Sequence, residues 1–513
     1  MTNPENHPVD PLNVSHDAEV LERLGYRQEL ERRLSQFSNF SVSFSIICIL
    51  AGGINSLAQA TSGAGGAGVG LGWPLGCMMS GVFALSMAQI ASSFPTAGGL
   101  YHWASVLGSR SLGWLTAWLN LFGLITVLGS VNVGAWTFLV GAFGKPLGIE
   151  NTLVNQMIFL AVLGGLQAWV NHRGIRATAR LTDFSGYLIL VTCVVIVVVV
   201  GLKIERWEWE RLVRFENFTG PAGGDVWPRV SGAWPFLLGL LLPIYTITGY
   251  DASAHTSEET MNAETTVPRG MVMSVLYASL AGYVLLSVMV LAIPRMGVAA
   301  GQGWNVFFWL MDERSPGVMR AVICGGILVA QLLCGLAAVT SASRMIYAFA
   351  RDEGLPCSAR LASVSTRFRT PAYAIWTASI LAFLFVWGSS VITVAGSTAY
   401  AMVVSCTVIL LFMSCVIPIV CGMISAGTER WPEAGAWSMG FGWFRFFGVL
   451  SVISMIAIIV LGVRPPNEAA LGVCAGVLGL LAVYWFGYAS RRFKGPRSVT
   501  ASAGTGPRRE RTR

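Results

Sequence analysis

Three titratable side chains follow one another at intervals of four residues near the middle of the chain: Asp251, His255 and Glu259. Side chains four residues apart share one face of an α-helix, so the spacing predicts a stripe that could pass protons. His255 suits that task best, because histidine changes charge near neutral pH. A structural alternative stays open, in which His255 and Glu259 line a solvated vestibule or pair with an arginine such as Arg344.

Asp251 lies inside an apolar stretch that is long enough to cross a membrane, where a carboxylate is costly unless it is paired. Pro243 and Gly249 precede it, and both residue types disfavour the interior of a helix. The pattern predicts a helix that breaks beside a carboxylate. Asp251 would then meet a substrate ammonium or titrate, or it would cap the second half of the broken helix.

Two adjacent hydroxyl groups, on Thr340 and Ser341, could bind a sodium ion together with main-chain carbonyl groups of the first apolar segment.

The ten cysteines stand singly, without a Cys-x-x-Cys pair or a histidine pair at metal spacing, which predicts neither a disulfide nor a zinc site. The sequence also lacks a phosphate-binding loop and a G-x-S-x-G motif, so we predict no cofactor and no enzymatic activity.

The composition places these residues in a membrane. Hydrophobic residues make up 54% and charged residues 12% of the 513-residue chain, and the mean hydropathy is +0.62. A spanning helix needs roughly 17 to 25 apolar residues, and a helix satisfies its own backbone in lipid. Twelve runs reach that length, at 37–61, 70–93, 112–143, 152–171, 183–201, 232–258, 269–294, 317–349, 371–390, 394–423, 445–463 and 469–489.

Arginine placement predicts the orientation, because basic residues accumulate in short cytosolic loops. With both termini in the cytosol of a plasma-membrane protein, the cytosolic segments carry Arg23, Arg27, Arg32, Arg33, Arg173, Arg176, Arg180, Arg344, Arg351, Arg360, Arg367, Arg369 and the basic tail from Arg491. The net charge of +8 then reflects topology and attraction to anionic lipid headgroups, and no nucleic-acid partner is needed to explain it. Arg344, Arg351 and Asp352 are expected to form cytosolic ion pairs.

The apolar runs divide the chain into six parts. A cytosolic tail, 1–36, carries an amphipathic pattern from Asp17 to Phe37, which predicts either a short helix on the inner membrane face or a solvated tail. Five spans fill 37–201, an extracellular loop occupies 202–231, and five further spans fill 232–423. Two more spans lie in 424–489, and a Gly-, Ser- and Arg-rich tail, 490–513, is expected to be disordered.

Two spans look breakable at comparable depth. The first carries Gly52 and Gly53, and the sixth carries Pro243 and Gly249, where helix propensity is weakest. Each is the first span of a five-span half, which is typical of an inverted repeat with a binding site at the membrane midplane. Freed amide and carbonyl groups at such breaks suit a carboxylate and an ammonium, so a zwitterion is the expected ligand. Close packing at the glycines is the structural alternative.

Four motifs in this order cover nearly the whole chain: IICILAGGI at 46–54, FPTAGGLYHWA at 94–104, GYDASAH with SEET at 249–260, and SRM through ARDEGLP at 343–356. With these motifs the chain resembles the amino acid, polyamine and organocation permease superfamily, and most closely its amino acid and choline transporter branch, which includes GABA permeases. The resemblance implies twelve transmembrane helices in a five-plus-five inverted repeat, the LeuT-like fold, with discontinuous first and sixth helices.

The resemblance also implies where a substrate would bind. The implied substrate-binding residues are Ala51, Gly52, Gly53, Ile54, Tyr245, Thr248, Gly249, Tyr250 and Asp251, with Tyr245 as an aromatic gate. We therefore predict a secondary active transporter that imports a small amino acid such as GABA or a neutral amino acid, by alternating access and with proton coupling. A choline or polyamine carrier or exchanger is the alternative, since Tyr245, Tyr250 and Tyr400 offer aromatic faces to a cation. An amino-acid sensor without transport is the third.

Overall fold

A computed structural model describes residues 11–315, 317–391, 393–394, 397–464 and 468–496. Helices dominate this part of the chain. In chain order they are α1 Pro11–Arg23, α2 Gln36–Ile47, α3 Ile49–Ala64, α4 Ala67–Gly70, α5 Gly72–Ser93, α6 Leu100–Leu107, α7 Arg110–Leu147, α8 Leu153–His172, α9 Ile175–Gly201, α10 Trp234–Gly239, α11 Leu241–Thr246, α12 Ala252–His255, α13 Ala263–Ala292, α14 Met296–Gly301, α15 Val306–Arg314, α16 Val318–Arg351, α17 Ser358–Leu361, α18 Ala372–Val391, α19 Ala399–Ser425, α20 Phe441–Gly462, α21 Ala469–Tyr484 and α22 Ser490–Arg492.

Within the described residues, eleven helical segments are long and apolar enough to cross a membrane, and a shorter apolar segment covers Trp234–Thr246. The predicted all-α polytopic membrane protein is therefore confirmed. The sixth predicted span, 232–258, consists of the short helices α10, α11 and α12 instead of one long helix. The count of twelve spans and the inverted repeat remain predictions.

Polar residues set several of the helix starts. Ser35 precedes α2, Ser109 precedes α7 and Thr152 precedes α8. Each hydroxyl oxygen accepts a hydrogen bond from the main-chain N–H three residues later, at 3.1, 3.3 and 3.2 Å respectively. Such a cap satisfies an amide that the first helical turn leaves unpaired.

A two-stranded antiparallel hairpin, β1 Thr393–Val394 and β2 Ser397–Thr398, precedes α19. The tenth span was predicted to begin at residue 394, whereas α19 begins at Ala399. Residues 393–394 and 397–398 pair as strands, so the helix begins later than predicted. Residues 395 and 396, which the prediction also included, lie outside the described residues.

The amino-terminal segment departs from the predicted amphipathic helix. Helix α1 ends at Arg23, and Gly25 follows with φ 85°, a backbone conformation that ends the helix. The chain beyond it is extended and forms a parallel bridge between Leu34 and Thr260. Leu30 and Leu34 are buried, so their apolar pattern reflects packing against the protein. Residues 17–34 cover one end of the bundle. We call that end the amino-terminal face.

The carboxy-terminal tail is ordered at its start, which corrects the predicted disorder from residue 490. Phe493 is buried, and its ring lies 6.4 Å from that of Tyr101 and 5.8 Å from that of Phe349. An aromatic side chain gains more from this packing than from solvent. The remainder of the predicted tail, 497–513, lies outside the described residues.

The loop 202–231 lies against the end of α3, at the end of the bundle opposite to the amino-terminal face. The main-chain N–H of Phe218 donates to the Ser62 carbonyl at 3.0 Å, and Trp227 Nε1 donates to the Gln59 carbonyl at 3.1 Å. The loop therefore contacts the end of α3 that lies away from the amino-terminal face.

Candidate functional site

The first span breaks at Cys48, which separates α2 from α3. Cys48 has φ 27° and ψ 72°, a conformation outside the helical region. The predicted interruption at Gly52 and Gly53 is wrong in position, because both glycines lie in the first turns of α3, where Gly52 N–H donates to the Cys48 carbonyl at 3.1 Å. Gly52 serves close packing instead. A Cβ added to Gly52 would overlap the Thr246 side chain of α11.

The sixth span breaks where the sequence indicates. Helix α11 ends at Thr246, α12 begins at Ala252, and Gly249 between them has φ 91°. That conformation is readily adopted only by glycine. The Thr248 hydroxyl donates to the Tyr245 carbonyl at 2.7 Å, which satisfies one carbonyl that the end of α11 leaves unpaired.

The two breaks are neighbours in space. A Cβ added to Gly249 would overlap the Ile46 side chain, two residues before Cys48. The Ser43 hydroxyl donates to the Tyr250 carbonyl at 2.9 Å and accepts from the Ser253 N–H at 2.9 Å. Residues on both sides of one break thus contact residues on both sides of the other, and the breaks lie at the same depth in the bundle.

Asp251 does not cap α12: its carboxylate makes no hydrogen bond to the first turn of that helix. Instead, Asn120 Nδ2 of α7 donates to Asp251 Oδ2 at 3.3 Å, and His255 Nε2 lies 3.5 Å from the same oxygen. The Asp251 and His255 side chains are 4% and 0% exposed. The predicted spacing of four residues therefore produces a buried contact between a carboxylate and an imidazole.

The tautomer of His255 follows from its second contact. His255 Nδ1 lies 3.1 Å from the Ala97 carbonyl oxygen, which can only accept, so Nδ1 carries a proton. A neutral imidazole would then turn the lone pair of Nε2 toward the Asp251 carboxylate. The Asp251 carboxylate therefore faces the Nε2 side of the His255 ring.

Glu259 pairs with Arg344, which is the structural alternative named in the sequence analysis. Arg344 donates to both carboxylate oxygens of Glu259, from Nε at 2.9 Å and from Nη2 at 2.9 Å, and both side chains are fully buried. Helix α12 ends at His255, and residues Ser257–Glu259 form a 3₁₀ turn. The spacing of four residues therefore places only Asp251 and His255 on one helix face.

Glu259 belongs to a larger charge cluster at the amino-terminal face. The charge cluster comprises Glu258, Glu259, Arg344, Arg351 and Asp352. Arg351 donates to both oxygens of Glu258 at 2.9 Å. The predicted role of Arg344 and Arg351 in ion pairs agrees with these contacts.

The amino-terminal segment completes the charge cluster, which the sequence did not indicate. Tyr26 and Tyr101 both donate to Asp352 Oδ2, at 2.8 and 2.7 Å, and the Arg351 guanidinium lies 3.8 Å from the Tyr26 ring centre. Arg32 donates to main-chain carbonyl groups of the turn after α12. The apolar pattern of the segment was its visible signal, but no local feature identified these partners.

Among the predicted substrate-binding residues, Ala51, Gly52 and Tyr245 lie beside the breaks and are half-buried. The Tyr245 side chain lies close to Ser130 of α7, so it connects α11 and α7 at this level. Thr248, Gly249, Tyr250 and Asp251 form the second break itself.

Two predicted residues point elsewhere in the bundle. Gly53 faces α13, where an added Cβ would meet Leu286 at 3.7 Å, and Ile54 is buried within α3.

At the predicted sodium site, the Thr340 hydroxyl donates to Asn171 Oδ1 of α8 at 2.7 Å. The Ser341 oxygen is buried and makes no hydrogen bond to the described residues. The hydroxyl of Thr340 is thus already engaged between two helices.

A polytopic bundle with two adjoining helix breaks at one depth has the architecture of a secondary transporter. Residues 34–480 match the family model described as amino acid permease. The chain belongs to the amino acid permease family, and its resemblance to the permease superfamily is confirmed.

Curated relatives match over nearly their whole length. The chain is 31% identical to amino-acid permease BAT1 of Arabidopsis thaliana, over 93% of this chain and 95% of the relative. It is 30% identical to the BAT1 homolog of Oryza sativa subsp. japonica, over 93% and 94%. It is 27% identical to amino-acid permease 2 of Neurospora crassa, over 93% and 88%.

Proposed function

We propose that this permease imports a small amino acid, GABA or a neutral amino acid, together with a proton, by alternating access. Its place would be the plasma membrane, with both termini in the cytosol. Family membership supports amino acid transport in general. The substrate, the proton coupling and the orientation are proposed from the site and from the distribution of arginines.

The contact between the two helix breaks carries the proposal. Helix α3 presents its amino end at Cys48, where unpaired amides and a positive partial charge favour a substrate carboxylate. Helices α2 and α11 end at the same level, and the negative partial charge at their carboxyl ends favours an ammonium group. A zwitterion matches both sets of groups at once.

The proton would reside on the pair of Asp251 and His255. A substrate ammonium arriving at the second break would compete with that proton for the Asp251 carboxylate. Ala97 links this event to the amino-terminal face, because its carbonyl accepts from His255 and its N–H donates to Glu258 at 3.0 Å. A change of protonation at His255 would thus disturb Ala97, which also contacts the charge cluster.

The charge cluster closes the amino-terminal face in this conformation. Alternating access requires that the Glu259–Arg344 and Glu258–Arg351 ion pairs separate when the substrate leaves toward the cytosol. Both pairs are bidentate and buried, so they separate only if the cavity that opens supplies water to the charges.

The test is uptake of radiolabelled amino acid into proteoliposomes with an imposed pH gradient. We expect the natural sequence to accumulate substrate with the gradient, whereas Asp251→Asn abolishes accumulation but still exchanges internal for external substrate. Glu353→Gln, which removes an exposed acid from the loop after α16, should change neither reaction. Gradient-driven accumulation by Asp251→Asn would contradict the proton role.

The same assay separates the other functions. Competition by unlabelled GABA and neutral amino acids, without competition by choline or putrescine, is expected for an amino acid importer. Inhibition by choline or putrescine alone would favour the organocation carrier. A sensor would bind amino acid without retaining it inside the vesicles.

A further inference from the structure

A groove remains at the amino-terminal face, away from the breaks and the charge cluster. It lies between the end of α8 and the start of α18 and has a volume of about 370 Å³. Its lining consists of Trp169, His172, Arg173, Arg367, Phe368 and Trp376. The loop before α18 is tied to α8 there, because the Thr370 hydroxyl donates to the His172 carbonyl at 3.2 Å.

The lining carries two arginines and no acid. Aromatic rings hold both guanidinium groups: Arg173 lies 4.5 Å from the Trp169 ring centre and Arg367 lies 5.1 Å from that of Phe368. Throughout the described part of the chain, neither guanidinium has a carboxylate or a hydrogen-bond partner. Stacking leaves the N–H groups at the guanidinium edges free for an oxyanion.

The groove opens on the lipid-facing side of the bundle. Trp169 is 48% and Trp376 is 39% exposed, and both residues are typical of the interface between headgroups and hydrocarbon. The same faces of α8 and α18 continue with exposed apolar residues, among them Leu166 and Ile380. A molecule in the groove would therefore place its charge beside the arginines and its apolar part along these two helices.

We propose that this groove binds the phosphate headgroup of an anionic phospholipid in the leaflet at the amino-terminal face. Guanidinium groups bind phosphate oxygens through paired N–H donors, and basic grooves between cytosolic helix ends suit such headgroups. The Trp169 and Trp376 rings flank the acyl chains at the interface. This site goes beyond the proposed transport function and needs neither a substrate nor a proton gradient.

The test uses purified full-length protein in neutral detergent and a fluorescent phosphatidylglycerol, with binding measured by anisotropy. We expect saturable binding that Arg173→Gln/Arg367→Gln weakens about 30-fold, since each arginine near an anionic lipid contributes roughly a factor of five. The matched control, Arg27→Gln/Arg360→Gln, removes two exposed arginines outside the groove and should bind as the natural sequence does. Unlabelled phosphatidylcholine should compete poorly.

Two further arms separate the sources of phosphate and guard against misfolding. Inorganic phosphate should not displace the lipid, and displacement would overturn the lipid assignment in favour of a soluble anion site. The single variant Arg367→Gln, on a surface loop, should weaken binding about five-fold even if the double variant folds poorly. Equal binding by the natural sequence and both arginine variants, or equal losses in the control, would overturn the proposal. Uptake assays on the same preparations show independently whether the transport proposal holds.

Discussion

Cys48 is the residue that interrupts the first span, although a cysteine carries no helix-breaking signal. The adjacent glycines carried that signal and lie in regular helix instead. The two glycines differ in their contacts: Gly52 faces Thr246, and Gly53 faces Leu286. The residue types indicated an unusual backbone in this region, but they did not identify Cys48 as the residue at which the helix is interrupted.

Replacing the two glycines separately tests this distinction. Gly52→Ala would overlap the Thr246 side chain, and overpacking of this kind costs about 1–3 kcal/mol. Gly53→Ala meets Leu286 at an ordinary 3.7 Å and gains helix propensity, so we expect stability and uptake close to those of the natural sequence. Thermal unfolding in detergent and the initial uptake rate measure both effects.

A second substitution makes the first result specific. Thr246→Ala removes the two atoms that a new Cβ on Gly52 would meet first, so the pair Gly52→Ala/Thr246→Ala should recover part of the lost stability. Equal tolerance of Gly52→Ala and Gly53→Ala would contradict the assigned contact between α3 and α11.

His102 in α6, outside the spanning helices, gives a prediction about pH. Burial, assisted by the positive charge of Arg351, lowers the pKa of His102 to about 3. In the unfolded chain its pKa is about 6.5, so the stability from a neutral His102 is present above pH 6.5 and is lost as the pH falls toward 3. At pH 5 the loss is about 2 kcal/mol.

We therefore expect His102→Gln to reduce the difference between melting temperatures measured at pH 7.5 and pH 5.0. An unchanged difference in His102→Gln would show that His102 is protonated in the folded protein at pH 5.

At the scale of elements, the half-helix after the second break is shorter than its sequence suggests. A continuous helix would have kept Asp251, His255 and Glu259 on one face, but the 3₁₀ turn after α12 directs Glu259 to Arg344. The contact of Asp251 with His255 could be predicted because it depends on one helical turn. Arg344 was named from the sequence as a possible partner of Glu259, whereas Ala97 and Asn120 come from distant elements that periodicity does not identify.

The ion pair between Glu259 and Arg344 should hold the amino-terminal face closed. Glu259→Gln leaves the buried Arg344 charge uncompensated, and losing one partner of such a pair costs about 3–5 kcal/mol. We expect this loss to favour the conformation in which water reaches the charge cluster. Ser257→Cys, at a fully buried position, is the reporter in a Cys357→Ser background that removes the exposed natural cysteine.

The measurement is the rate at which a water-soluble maleimide labels the reporter cysteine. Glu259→Gln should raise that rate at least ten-fold, whereas Glu353→Gln should not change it. Equal rates in the two variants would mean that the ion pair does not control access from this face.

At the scale of the whole molecule, the sequence predicted the class of fold well and the assembly of the site only in part. Predicted and observed helix limits agree within a few residues for most spans, because lipid-facing hydrophobicity is a local property. The cover that residues 17–34 form over the charge cluster, and the contact between Ile46 and Gly249, depend on how distant segments pack. These features required the structure.

The central claim is that the two adjoining breaks bind the transported amino acid. A cryo-electron microscopy map of the protein with an amino acid that it accumulates tests this claim most directly. We predict density for the ligand between residues 48–52 and 245–251, with the carboxylate toward the start of α3. Ligand density elsewhere in the bundle, or continuous helix through both Cys48 and Gly249, would contradict the account.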